Sequence, residues 1–411
     1  MDLKDKQSQQ GSKVRTFKYL LLALVIFAAG VGFGDGRLSI TLPHGNKPVA
    51  NGLPDKLDYN SLNEVYQAVK DNYNGQLSQS QIIDGLKHGL AGAAKDPYTV
   101  YFTAKEAKDF SDQLNNSFAG IGARLSKDAD GNLIIGEAIA GFPADKAGLK
   151  KQDIIAEVNG TQTSTLTLDD AISKIRGPAG STVKLKLVRD KSQTLDISVV
   201  RQTISLPSVT TKTLDGNIGY IQIGTFANDT SSLMQKAAQQ FKDAGVKGIV
   251  LDLRNDPGGL LEAAVNVSSL WLPSGTNVLQ ERRGNTVTQN YRAVGGDTLH
   301  DISTVVLINE GSASASEITA GALHDNKAAR LIGTKSYGKG VVQQLINLSD
   351  GGQLKVTVAS WYRPDGQNIN HKGITPDDVV KLSDEDIKAA KDSQLEAAQA
   401  YLKKTEREVS L

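Results

Sequence analysis

Cysteine is absent from the 411 residues. That excludes disulfides, thiolate nucleophiles and Cys-ligated zinc. Histidine is scarce: His44, His88, His300, His324 and His371 are the whole set, no two at i, i+4 spacing and none in an HExxH. No metal site is expected, because a zinc-protease helix needs that pair on one face. An excess of charge is also missing. Lys+Arg (46) and Asp+Glu (45) leave a formal net charge of +1, so there is no basic field for nucleic acid and no acidic excess favouring disorder. No internal repeat or low-complexity tract is visible, and no cofactor is expected. What remains is ordinary globular composition, 39% hydrophobic and 22% charged, over a length that suggests two or three domains.

One apolar run stands out. Residues 19–34, YLLLALVIFAAGVGFG, carry no charge, with Lys13, Arg15 and Lys18 before them and Asp35 after. The run lies at the short end of the about 17–25 residues that span a bilayer, and the stem of Lys18 extends it by snorkelling. Upstream basic residues predict a cytoplasmic N-terminus (1–18), a single transmembrane anchor (19–34) in the plasma membrane, a Gly/Pro/Asn-rich tether (35–54), and the rest outside the cytoplasm. The alternative is export followed by cleavage of a signal peptide, whose apolar part is shorter.

Beyond the tether, residues 55–102 read as a small helical cap. Leu62, Val65, Tyr66 and Val69 share one face, and Ile82, Ile83, Leu86 and Leu90 another. Asp96-Pro97 breaks the pattern. Residues 103–203 change to short strands with Gly/Asp turns: Ala123–Ser126 and Leu133–Ile135 around Asp130-Gly131, a short helix in Pro143–Leu149, a strand Asp153–Val158, a helix Leu168–Ile175, and strands Val183–Val188 and Leu195–Val200. Residues 204–382 alternate apolar strands (Gly219–Ile223, Lys247–Leu253, Thr304–Asn309, Leu331–Gly333) with helices (Met234–Ala244, Leu260–Leu270, Ser316–His324), followed by a strand Gln353–Trp361. That alternation predicts a layered α/β domain on a largely parallel sheet. The tail, 383–411, reads as a charged, peripheral helix. The fold class is therefore multidomain α/β behind a transmembrane helix.

Three segments of the last large domain can do chemistry. Gly311-Ser312-Ala313-Ser314-Ala315-Ser316-Glu317 follows a buried strand and opens a helix, a turn that points a serine into the crevice at the strand's carboxyl end. Ser314-x-x-Glu317 equally fits a helix capping box, which needs no catalysis. Lys335-Ser336-Tyr337-Gly338-Lys339-Gly340 follows the next strand; a lysine there acts as base only when neutral, which burial favours, and its bland counterpart is a solvated lysine in a surface turn. Asp252-Leu253-Arg254-Asn255-Asp256-Pro257-Gly258-Gly259 exposes backbone N–H groups at a helix start, a site for negative charge, or else an ordinary strand-to-helix turn.

Together, GSASASE (311–317), SYGKG (336–340) with Val341-Val342-Gln343, and DLRNDPGG (252–259) resemble the C-terminal processing peptidases, or tail-specific proteases. Asp96-Pro97-Tyr98-Thr99 is similar to the segment before that family's PDZ domain. Phe118–Gly122, Lys146–Leu149 and Ile154–Gly160 are similar to the PDZ domain itself, which would occupy 103–203. The resemblance spans roughly residues 57–380. It implies a ClpP/crotonase-like core, a serine endopeptidase working by a Ser-Lys dyad, and capture of substrate tails by the PDZ-like unit. Ser314 would attack, Lys339 would be its base, and Gln343 would orient the lysine. Backbone N–H groups of Gly258, Gly259 and Ala315 would form the oxyanion hole. Gly120, Ile121, Gly122 and Ala123 would bind the tail carboxylate. The choice of Ser314 over Ser312 and Ser316 rests on the resemblance alone. Asp256 departs from the family's usual Asn, and a carboxylate there would oppose an oxyanion unless it points away. The implied partners are protein substrates with accessible, apolar C-termini, and a second copy of the chain through the terminal helices. Two rivals use the same core: a non-catalytic ligand-binding or scaffolding protein, as in interphotoreceptor retinoid-binding proteins, and a small-ester hydrolase.

Overall fold

A computed structural model describes residues 56–409, apart from 191, 384, 387, 388 and 390. The apolar run 19–34 lies outside the described residues, and among those described no helix is long and apolar enough to cross a membrane. The chain divides into two units, Met1–Gln76 and Leu77–Leu411. In the first, the helix Tyr59–Asn72 starts on Asp58, whose side chain accepts from the N–H groups of Asn60 and Ser61, a normal N-cap. Its apolar face, Leu62, Val65, Tyr66 and Val69, is exposed.

In the second unit, the centre is a six-stranded sheet whose strands run in sequence order: Val209–Leu214, Ile218–Ile223, Gly248–Asp252, Thr304–Ile308, Arg330–Gly333 and Asp378–Val379. The first pair is antiparallel and every later pair parallel. Parallel strands need crossovers and burial on both faces, and the sequence supplies both. The helices Thr230–Asp243, Leu261–Ser268 and Ala315–Asp325 carry the crossovers and cover one face, around Phe226, Phe241, Trp271 and Val306.

The other face is closed by the tail. The helix Ser393–Val409 buries Ala398 and Leu402 against Ile218, Tyr220, Val250, Val305, Leu307 and Ile332. A peripheral tail was the expectation from its charge. The structure corrects it: without this helix one whole face of a parallel sheet would stand in water. The approach is close enough that a Cβ at Gly248 would lie 3.0 Å from Leu402.

A second sheet, absent from the sequence reading, is built on the long strand Gln353–Tyr362, which pairs with Val100–Phe102, Asn277–Arg283 and Val341–Asn347; Thr286–Arg292 completes it. Half-polar strands such as NVLQERR and TVTQNYR lack the apolar runs that signal burial.

The segment 123–200 forms its own sheet, ordered Ala123–Lys127, Leu133–Ala138, Ile154–Val158, Thr182–Arg189 and Gln193–Val200, with Thr161–Gln162 beside the third. Its separate core gathers Leu133, Ile135, Ile155, Val183, Leu185 and Leu187 against Ala171 and Ile175 of the helix Leu168–Ile175. The predicted strands and helix fall where the apolar pattern put them, and the strand beginning at Leu133 runs on to Ala138; Thr167 caps the helix.

Candidate active site

The three chemical segments leave the carboxyl ends of three adjacent parallel strands. Gly248–Asp252 feeds the 253–259 turn, Thr304–Ile308 the 309–314 turn, and Arg330–Gly333 the 334–340 turn. The ladder pairs Leu251 with Val306 and Leu307 with Ile332. Register alone therefore brings segments distant in sequence to one edge of the sheet.

Of the three serines, two are spoken for. Ser312 and Ser316 are fully buried. Ser312 Oγ donates to the Leu253 carbonyl at 2.8 Å, and Ser316 Oγ to the Asp256 carbonyl at 3.0 Å. Both hydroxyls tie the serine turn to the 253–259 turn. Ser314 instead lines a cavity of about 700 Å³. It precedes the helix with φ +54° and ψ −112°, a conformation that costs a non-glycine residue about 1–3 kcal/mol and persists only where the surroundings enforce it.

Glu317 is what enforces it. Its carboxylate is fully buried and accepts four hydrogen bonds: Ser314 N–H at 2.9 Å and Lys339 N–H at 2.9 Å on Oε2, Gly338 N–H at 2.7 Å and Ser336 Oγ at 2.6 Å on Oε1. Of the capping box legible in Ser314-x-x-Glu317, the half in which Glu317 accepts from the Ser314 N–H is formed, and the carboxylate also staples the lysine turn to the serine turn. The two readings of that motif were never exclusive. Burial pushes the Glu317 carboxyl above its ordinary range, and the Ser336, Lys339, Gly338 and Ser314 bonds pull it back.

Lys339 lines the same cavity as Ser314 and is half-buried. Its amine lies 5.1 Å from the centre of the Tyr98 ring, and among the described residues no hydrogen bond joins it to Ser314 Oγ. Burial lowers its pKa below the ordinary lysine value. The like charge of Lys355 adds to this, and Glu317 and Asp96 oppose it. Gln343 also lines the cavity, but its Nε2 donates to Thr357 Oγ1 at 3.3 Å, so in this conformation it does not hold the lysine.

The 253–259 turn is stiffened from below. Arg254 Nε and a terminal nitrogen donate to Asp252, and its other contacts are Asp392 and Gln394 at the start of the tail helix. Gly258 sits so close to the serine turn that a Cβ there would lie 2.8 Å from Ala315 N and from Ser314 Cβ; one at Gly259 would lie 2.2 Å from the Phe226 carbonyl. Only glycine fits either place. The Gly258 N–H donates to Asp256 Oδ1 at 2.8 Å. Among the described residues the N–H groups of Gly259 and Ala315 have no acceptor.

Other lining residues left no signal in the three motifs. Phe110, Leu114 and Phe118 form an apolar wall with Leu260, Leu261 and Ile318, and Lys355 stands half-buried with its amine over the rings of Phe102 and Phe110. Tyr98 could have been found, since Asp96-Pro97-Tyr98-Thr99 was already legible as a motif. In the 123–200 unit, Gly120 to Ala123 form the turn into the edge strand Ala123–Lys127, with Ile121 buried and Gly122 at φ +74°.

Comparisons with known proteins agree with this arrangement. Residues 217–380 match peptidase family S41, and residues 110–188 match the PDZ domain. These define a serine-type peptidase joined to a PDZ domain. The chain is 36% identical to the carboxy-terminal processing protease CtpA of Bacillus subtilis (strain 168), over 90% of its own length and 78% of that protein's. It is 33% identical to a protein described as a probable CtpA-like serine protease of Staphylococcus haemolyticus, over 92% and 75%. A solved structure described as an S41 protease from Bacteroides fragilis shares the fold, with a TM-score of 0.54 at 18% identity, over 86% of this chain and 99% of that one. The chain belongs to the C-terminal processing peptidases, and it is a serine-type protease.

Proposed function

We propose that the protease works through Ser314 and Lys339 and selects substrates by their C-terminal tails. The observation that carries this reading is that Ser314 is the one serine of its turn whose hydroxyl is not spent on a backbone carbonyl, and that it shares a cavity with a lysine whose amine is biased towards neutrality by burial.

Neutral Lys339 takes the Ser314 hydroxyl proton as Oγ attacks the scissile carbonyl carbon. The resulting oxyanion is met by N–H groups of Ala315 and of Gly259 or Gly258, each donor worth about 2.7–4 kcal/mol. Collapse of the tetrahedral adduct breaks the C–N bond, and the Lys339 ammonium returns a proton to the leaving amine. Water, deprotonated by Lys339, then hydrolyses the acyl-enzyme. Substrate closes the gap between amine and hydroxyl, since catalytic hydrogen bonds are commonly loose before substrate arrives. Gln343, on the same wall, then turns from Thr357 to the lysine. The apolar lining by Phe118, Leu260 and Ile318 favours apolar residues beside the scissile bond.

The tail is held by the PDZ unit. Ala123–Lys127 is the edge strand of its sheet, with the helix Leu168–Ile175 alongside, so an extended peptide can add as a further strand. The Gly120–Ala123 turn takes the carboxylate. The uncharged run 19–34 tethers the enzyme to the membrane with this machinery outside the cytoplasm, and the exposed helices at the N-terminal end pair two copies. Ser314→Ala and Lys339→Ala are each expected to abolish cleavage of an unstructured protein with an apolar C-terminus while leaving the far-ultraviolet circular dichroism unchanged. Cleavage retained by either variant overturns the dyad.

A further inference from the structure

Asp256 is the one residue of the glycine turn whose chemistry neither the dyad nor the fold uses. Its carboxyl is fully buried. Oδ1 accepts from Gly258 N–H at 2.8 Å, while Oδ2 has no hydrogen-bond partner among the described residues. Its backbone is tied to the serine turn on both sides: its carbonyl accepts from Ala313 N–H and from Ser316 Oγ, each at 3.0 Å. The carboxyl therefore holds, from two residues away, an amide whose Cα packs against Ser314 and Ala315.

Among the described residues no cation pairs with it. On its own turn the charged neighbour is Arg254, whose guanidinium is committed to Asp252 and Asp392. On the serine helix it is Glu317, whose oxygens face Ser336 and the lysine turn. On the lysine turn it is Lys339, whose amine lies under Tyr98. An unpaired buried carboxylate is costly, and a neutral carboxyl in the same place much less so. Burial pushes the Asp256 carboxyl up to about 7, against the pull of the Gly258 N–H and of the nearby Ser316 hydroxyl.

We propose that Asp256 is a positioning residue of the oxyanion turn that serves catalysis as the neutral acid, and that its ionisation shuts the turn down. Two effects act together. The carboxylate grips the Gly258 N–H harder and keeps it from the oxyanion, and its own charge opposes the one developing on the substrate. The neutral acid does neither, and Asn at this position is its uncharged isostere. The protease thereby carries an upper pH limit distinct from the lower limit set by deprotonation of Lys339.

The inference rests on the oxyanion assignment above, and the test separates the two. Cleavage of one peptide is followed from acid to alkaline pH for the wild type, Asp256→Asn and Ser314→Ala. Wild-type kcat/KM should fall on the alkaline side. Asp256→Asn should lose that fall, raising the ratio of kcat/KM at about pH 8.5 to that at about pH 6.5 by roughly tenfold, with the change in kcat rather than KM. An Asp256→Asn profile that overlays the wild type overturns the inference, whereas cleavage by Ser314→Ala overturns the catalytic assignment instead. Thermal unfolding of Ser314→Ala with and without Asp256→Asn gives a second check. The native carboxyl binds its proton more tightly than the unfolded one, so as pH rises through about 4 to 7 the variant that keeps Asp256 should lose stability relative to the one that carries Asn. A gap between the two unfolding midpoints that does not change with pH also overturns the inference.

Discussion

In the core sheet, Gly248–Asp252 and Thr304–Ile308 are buried at every residue. In the PDZ sheet, Thr182–Arg189 alternates buried with exposed or half-buried residues, and the edge strand Ala123–Lys127 has none fully buried. The difference divides the labour. A sheet covered on both faces fixes three strand ends, and hence the three turns that leave them, relative to one another. A sheet covered on one face keeps a free edge that a peptide can join. The proposed function uses the first for chemistry and the second for recognition.

The comparison can be broken at either end. The largest expected effect is in the core: Ser314→Ala, or Lys339→Arg, whose guanidinium does not give up its proton, should lower kcat by at least about a thousandfold. Glu317→Ala comes next. It leaves the N–H groups of Ser314, Gly338 and Lys339 without an acceptor, at about 1–3 kcal/mol for each left unpaired. Both the unfolding midpoint and kcat should drop, with Glu317→Gln intermediate; an unchanged midpoint would show that the two turns hold their places unaided. In the PDZ unit the effect should be smaller and fall on KM. Amidating the substrate's C-terminus should raise KM about tenfold, near 1.4 kcal/mol, with kcat little changed. Equal KM values for free and amidated tails would remove tail capture. The smallest effect is expected from Lys355→Met, which keeps the stem over Phe102 and Phe110 but removes a like charge from the neighbourhood of Lys339. The Lys339 pKa should rise, moving the acid limb of kcat/KM to higher pH; a shift the other way would mean that Lys355 packing, not its charge, governs the amine.

Much of this was legible in the chain. The Leu168–Ile175 pattern placed the PDZ helix to the residue, because an apolar stripe is a local signal. The strand ends under the catalytic turns were legible for the same reason. The half-polar strands Asn277–Arg283 and Val341–Asn347 were not, since neither carries an apolar run and Asn277–Arg283 meets its partner, Gln353–Tyr362, only across a long stretch of chain. Nor was the burial of Ala398 and Leu402, whose apolar stripe is narrow within a charged helix and meaningful only against an uncovered sheet face.

Sequence by itself determined the family, the three turns and the residue types available in them, because motif spacing and glycine placement are local properties of the chain. Only the tertiary structure set Ser314 apart from two serines whose hydroxyls bond to backbone carbonyls, joined its turn to that of Lys339 through Glu317, and left one oxygen of Asp256 without a hydrogen-bond partner among the described residues. Those outcomes depend on which hydrogen bonds close across adjacent strands, and that is set by register and packing rather than by neighbours in sequence.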